Sequence, residues 1–171
     1  MSDKSCRNSA QSLSLVQFSK ENYGASFQDH LLEQYKLYVE SAERVSDRRL
    51  SANNYLLTVN ASIIALYGLL VSSGTYNRGN HWLALIPAVG ILVSLVWYLV
   101  IDSYRKLNSL KFEIIHELEQ YIPAALYCYE WEKAGRGCGK EYRPLTHLER
   151  WVPVVFVVFH GVLVILGLVV R

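Results

Sequence analysis

Charge is missing from three long stretches of this 171-residue chain: residues 55–71, 82–101 and 151–170 contain no Lys, Arg, Asp or Glu. A hydrocarbon core about 30 Å thick is crossed by roughly 20 helical residues. The second and third stretches meet that length, and the first does so once Ser72 and Ser73 are counted. These runs exclude a soluble domain with buried helices, because the remaining polar chain is too short to cover three such surfaces. Cysteine is scarce as well. Cys6, Cys128 and Cys138 follow no metal-ligand spacing, and all three read as free thiols. No nucleophile elbow, phosphate-binding glycine loop, zinc motif or dinucleotide fingerprint is present, so the chain is expected to be neither an enzyme nor a cofactor binder. The formal net charge is only +2, which gives nucleic acid no reason to bind. The first twenty-six residues are polar and serine-rich and lack a secretory signal, so the first span is expected to serve as the insertion signal.

Where charge does occur, its distribution orients the chain. Residues 1–54 carry seven basic residues, 72–81 only Arg78, and 102–150 eight. The excess of Lys and Arg marks the cytoplasmic side, with Arg48, Arg49, Arg105 and Lys106 setting the topology. The N-terminus and 102–150 are therefore expected in the cytoplasm, with the 72–81 link and the C-terminus outside.

Punctuation divides the chain further. Residues 1–25 read as a flexible arm, in which 13–19 could form a short docking segment. Ser26, with Asp29 three residues on, resembles a capping box. No Gly or Pro follows until Gly68, so the cytoplasmic helix 26–54 is expected to be continuous with the first span, 55–73. A helix over 27–72 is about 70 Å long, and about 40 Å of it must leave the bilayer. Leu32, Tyr35, Val39 and Ala42 form a coiled-coil-like seam that gives way at Ser46 and Arg49. The second span, 82–101, runs on through Leu107, Leu110, Ile114, Leu118 and Tyr121 to Pro123, which ends it. A cytoplasmic segment, 102–150, contains an aromatic stretch, a glycine-rich turn at 135–139 and a Thr146–Glu149 capping box ahead of the third span, 151–170. The expected fold is an all-α integral membrane protein with three transmembrane helices, the first two extended into a long antiparallel cytoplasmic stalk.

The first span holds the most informative pattern. Asp47, Ser51, Asn54, Thr58, Ala61, Ala65, Gly68 and Ser72 alternate at spacings of four and three, so eight small or polar residues share one face. Leu56, Val59, Ile63, Leu66 and Leu70 fall on another face, which is expected to meet lipid. The small face suits close helix packing or the lining of a water path. Asn53 and Asn60, one heptad apart, require a partner or water. Ala84, Pro87, Gly90 and Ser94 lie near one face of the second span. Pro153, His160 and Gly167 recur every seven residues in the third. A mid-bilayer His160 should be neutral and hydrogen-bonded to another helix, with a proton-sensitive gate as the alternative. Glu113 and Glu117 with His116 form a charged solvent face rather than an acid–base or metal site. Tyr121, Tyr127, Tyr129 and Trp131 suit the membrane surface, the core of the stalk or a docking patch equally well.

Three segments carry a resemblance: "YKLYVESAERVSDRRLSANNYLLTVNASIIAL" from Tyr35, "YRKLNSLKFEIIHELEQYIPAALYCYEWE" from Tyr104, and "YRPLTHLERWVPVVF" from Tyr142. In order and character they resemble the RipA family of octameric bacterial membrane proteins. The resemblance implies a bacterial inner-membrane protein that forms a ring-like homo-oligomer, and it transfers no catalytic residue. The expected function is that of a membrane effector in lipid and in contact with its own copies. It would respond to a cytoplasmic trigger protein by permeabilising the membrane, in anti-phage defence. A non-conducting scaffold or stress-adaptation protein is the alternative.

Overall fold

A computed structural model describes residues 14–73, 81–135 and 149–169. They form α1 (Lys20–Tyr23), α2 (Phe27–Ser72), a 3-10 turn (His81–Ala84), α3 (Leu85–Glu119), α4 (Leu126–Lys133) and α5 (Trp151–Val169). Three of these segments are long and apolar enough to cross a membrane: α2, the 3-10 turn joined to α3, and α5. The protein is therefore a multi-pass membrane protein of all-helical architecture.

The 46 residues of α2 run unbroken, as expected from a stretch with no proline and one late glycine. Ser26 occupies its N-cap position, but its side chain makes no capping hydrogen bond, so the capping box does not form. The arm is more structured than expected near its end. Gly24 adopts a φ of 94°, a left-handed turn that glycine tolerates. This turn folds α1 back so that the Tyr23 ring packs edge-on against Phe27 and bonds His30 at 2.9 Å. Residues 1–13, including Cys6 and most of the arm, lie outside the described residues, as do Cys138 and Thr146. The second long helix stops at Glu119, ahead of Pro123, whose ring disfavours helical backbone in the residue before it.

α2 and α3 descend antiparallel, and α5 packs along the membrane half of α3. The chain's own contacts run down one line of α2: Tyr35, Val39, Ala42, Ser46, Arg49, Asn53, Leu56, Asn60, Ile63, Tyr67 and Leu70 are all buried or half-buried. Their spacing alternates between four and three over the whole length, a continuous 3.5-residue period. Two expectations change here. The seam does not end at Ala42 but continues through polar residues. Leu56, Ile63 and Leu70 do not face outward: they fill space beside α3, which turns its small residues Pro87, Gly90 and Ser94 inward. Leu66, at 50% exposure, does face out.

Candidate functional site

Every seventh residue of the seam is polar across the middle of α2, and each has a partner on another helix. Ser46 reaches Asn108 at 3.4 Å. Asn53 accepts from the Trp97 indole at 2.7 Å. Asn60 accepts from Ser94 at 2.8 Å, and the Tyr67 hydroxyl reaches the Leu163 carbonyl at 3.5 Å. The ladder is short at its centre and long at its ends, so the two asparagines carry most of its strength. Hydrogen bonds between membrane helices contribute about 0.6 kcal/mol each on average. Their directionality also fixes which residues face one another, so the ladder sets the register between α2 and its neighbours.

The centre of the ladder joins all three spans. Asn60, Ser94 and His160 are fully buried. The Asn60 amide nitrogen donates to the Leu56 carbonyl at 2.9 Å. Its oxygen therefore faces Ser94 and His160 Nε2, the latter at 3.2 Å. An acceptor at that distance requires the proton on Nε2, which leaves Nδ1 as a bare lone pair. Among the described residues, the buried Nδ1 has no hydrogen-bond partner. The Ser94 hydroxyl hydrogen lies between Asn60 and the Gly90 carbonyl, each 2.8 Å away. The imidazole rests on Gly90, where a Cβ would come within 2.3 Å of the ring. His160 is thus the expected interhelical hydrogen bond. Ala84, Pro87, Gly90 and Ser94 are all buried, as are Pro153, His160 and Gly167. In α3 and α5 the small and polar residues mark the contact side.

In α2 they mark the opposite side. Asp47, Ser51, Asn54, Thr58, Ala61, Ala65, Gly68 and Ser72 are all exposed, on the face turned away from the seam. Among the described residues, nothing lies within 4 Å of the position a Cβ would take at Gly68. Three hydroxyls on this side are satisfied within their own helix: Thr58 donates to the Asn54 carbonyl at 2.9 Å, Ser62 to Thr58 at 2.8 Å and Ser72 to Leu69 at 3.0 Å. Such back-bonding lets a hydroxyl meet apolar surroundings without water.

Arg49, Arg105 and Lys106, expected to set the topology, gather where the spans meet the stalk. Arg49 faces Glu149 at 3.6 Å, which joins α2 to the start of α5. Asp102 is approached by Lys106 at 2.8 Å, Arg105 at 3.8 Å and Arg150 at 4.0 Å. The bonded Lys106 ammonium holds the Asp102 carboxyl below its ordinary value, with Arg150 and Arg105 adding to the effect. Arg150 also donates to the Tyr98 hydroxyl and sits over its ring. Arg48 is exposed.

Glu119, 2% exposed, organises the far end of the stalk, a role the sequence reading missed. Its carboxylate accepts from the Tyr127 and Cys128 backbone amides at 2.8 and 2.9 Å and from the Tyr35 hydroxyl at 3.1 Å. It thereby caps α4 and ties it to α2. Burial, then the Glu119 carboxylate, pushes the Tyr35 phenol above its usual value. The aromatic stretch divides: Tyr127 packs on Phe112 at 5.9 Å, while Tyr121, Tyr129 and Trp131 stay exposed. Glu113 and Glu117 are exposed too, as a solvent face requires.

The profile of the octameric membrane protein family (8xMP) matches residues 32–169, which takes in the whole seam and all three spans. No curated protein sequence and no solved structure matches the chain.

Proposed function

The chain belongs to the octameric membrane protein family, and on that premise we propose that its copies assemble side by side in a ring, the small-residue face of α2 in one copy packing on α5 of the next. One observation carries this reading. All eight small or polar residues of that face are left uncovered by the chain's own helices, although such residues mark the contact side in α3 and α5. The complementary surface is at hand. Val155, Val158, Val162 and Ile165 on α5 are 63%, 62%, 48% and 59% exposed and form a ridge of large side chains at helical spacing. Large residues entering a small-residue groove maximise dispersion contacts in lipid, where no hydrophobic drive acts between helices. Depth supports the match as well. The Arg49–Glu149 and Asn60–His160 contacts set α2 and α5 at equal heights. A ring axis along the membrane normal keeps that height in every copy, bringing Ala61 level with Val162 and Ala65 level with Ile165.

We further propose that the assembly is a bacterial inner-membrane effector with its N-terminus and stalk in the cytoplasm and its C-terminus outside, as the distribution of Lys and Arg favours. A cytoplasmic trigger protein engaging the stalk would shift α2 and α3 along their shared seam and permeabilise the membrane, as a defence against phage. Non-catalytic action is part of this reading. Induced expression with a membrane-potential dye tests it: depolarisation on triggering is expected, and cells that stay polarised with and without the trigger exclude it. The back-bonded hydroxyls of Thr58, Ser62 and Ser72 favour a second reading, in which the ring is a dry, non-conducting scaffold. That reading requires assembly without any change in permeability.

A further inference from the structure

The cluster around Asp102 is electrically unbalanced. Three cations, Arg105, Lys106 and Arg150, come within 4.0 Å of a single carboxylate. Only Lys106 is at hydrogen-bonding distance. The Arg105 and Arg150 guanidinium nitrogens stand 3.8 and 4.0 Å from the same Asp102 oxygen, Oδ1, too far to donate to it. Each guanidinium has five N–H donors, and Arg150 commits one to Tyr98. The adjacent Arg49–Glu149 pair is neutral and adds nothing to the excess. Two planar donor groups therefore converge on one point with unspent hydrogen-bonding capacity and surplus positive charge.

Their depth identifies what they meet. Asp102 directly follows the last residue of the second uncharged run, and Arg150 directly precedes Trp151, the first of the third. Tyr98, which holds the Arg150 guanidinium over its ring, lies one turn inside the span. Trp151 is 67% exposed, as suits an aromatic residue at the lipid boundary. The guanidiniums thus sit at the level of the lipid headgroups. They flank one oxygen closely enough for a single phosphate group to accept from both, the geometry that arginine favours for phosphate.

We propose that Arg105 and Arg150 bind the phosphate of an anionic phospholipid at the stalk-side membrane interface, with Lys106 adding charge and Asp102 competing with the phosphate for the guanidiniums. The site lies between α3 and α5 of one chain, and it stands whether or not the ring reading does. Lipid in this position ties the start of α5 to α3 and makes the packing of the third span sensitive to membrane composition.

Native mass spectrometry of the full-length protein, released from mixed phosphatidylglycerol and phosphatidylcholine, tests the proposal by counting retained lipids. Wild-type protein is expected to retain phosphatidylglycerol in preference. Replacing both guanidiniums (Arg105→Gln with Arg150→Gln) should weaken that retention on the order of thirtyfold, at about 1 kcal/mol per interfacial cation. Asp102→Asn removes the competitor and should strengthen it. This second variant separates the two roles, because a purely structural ion cluster would lose stability on Asp102→Asn and gain no lipid. Excess glycerol phosphate should not displace the lipid. Equal retention of the two lipids by wild-type protein, unchanged preference in the double variant, or no gain in Asp102→Asn would overturn the assignment. So would full displacement by glycerol phosphate, which would make this a site for a free anion.

Discussion

The first span and the other two use small residues in opposite ways. In α3 and α5, Gly90, Ser94 and Gly167 face inward and let helices approach. In α2, Ala61, Ala65 and Gly68 face outward, and the inward line is built from Asn53, Leu56, Asn60, Ile63 and Tyr67. A small-residue stripe thus shows where a membrane helix can be approached closely, but not by which chain. Within one subunit, close approach on α3 and α5 is already used. On α2 it is still available, and in the ring we propose a second copy takes it.

The two glycines give the sharpest contrast. Gly90→Ala places a Cβ against the His160 ring and should cost about 3 kcal/mol, at the upper end for overpacking, seen as a large drop in the thermal midpoint of the solubilised protein. Gly68→Ala meets open space, and the subunit should keep its stability or gain about 0.8 kcal/mol of helix propensity. A comparable loss at both positions would erase the distinction between covered and uncovered sides. Next in size is Asn60→Leu, which leaves the buried His160 Nε2–H without an acceptor while Ser94 keeps the Gly90 carbonyl, and should cost about 1–2 kcal/mol in the same assay, whereas Asn54→Leu on the back of the helix should leave the subunit's stability within about 0.5 kcal/mol. Ala61→Leu with Ala65→Leu should leave the helical content of the subunit intact while reducing the mass of the solubilised particle. The smallest effect concerns pH. The Asp102 carboxyl lies below its ordinary value in the folded protein. Its contribution is therefore complete above that ordinary value, near 4, and is lost as the pH falls through the lower folded value. Titrating wild type beside Asp102→Asn should show the two converging only in acid.

Much of this arrangement was legible in the residues. The uncharged runs overlap the three helices long and apolar enough to cross a membrane, and the lack of breakers between Ser26 and Gly68 gave α2 its full length. The periodic Pro153, His160 and Gly167 marked the buried side of α5, because proline and glycine in a membrane helix are tolerated where neighbours cover them. The seam of α2 was harder to read. Apolar periodicity alone grouped Leu56, Ile63 and Leu70 with Leu66 on a lipid side, since lipid and a protein neighbour are equally apolar. The useful signal was polar: Asn53 and Asn60, extended by seven in each direction, lead to Ser46 and Tyr67. Glu119 could not be found this way, because its partners are the Tyr127 and Cys128 amides and a tyrosine 84 residues distant. Backbone donors leave no trace in composition.

In the ring we propose, the uncovered face of α2 meets the α5 ridge of another copy. With Cys6, Cys128 and Cys138 replaced by serine, Ala65→Cys and Ile165→Cys in one chain should form a disulfide between differently tagged subunits in native membranes. Ala65→Cys paired with Leu95→Cys, on the exposed side of α3, should not. Cross-linking confined to one chain, or equal between the two pairs, would exclude this packing of α2 on α5.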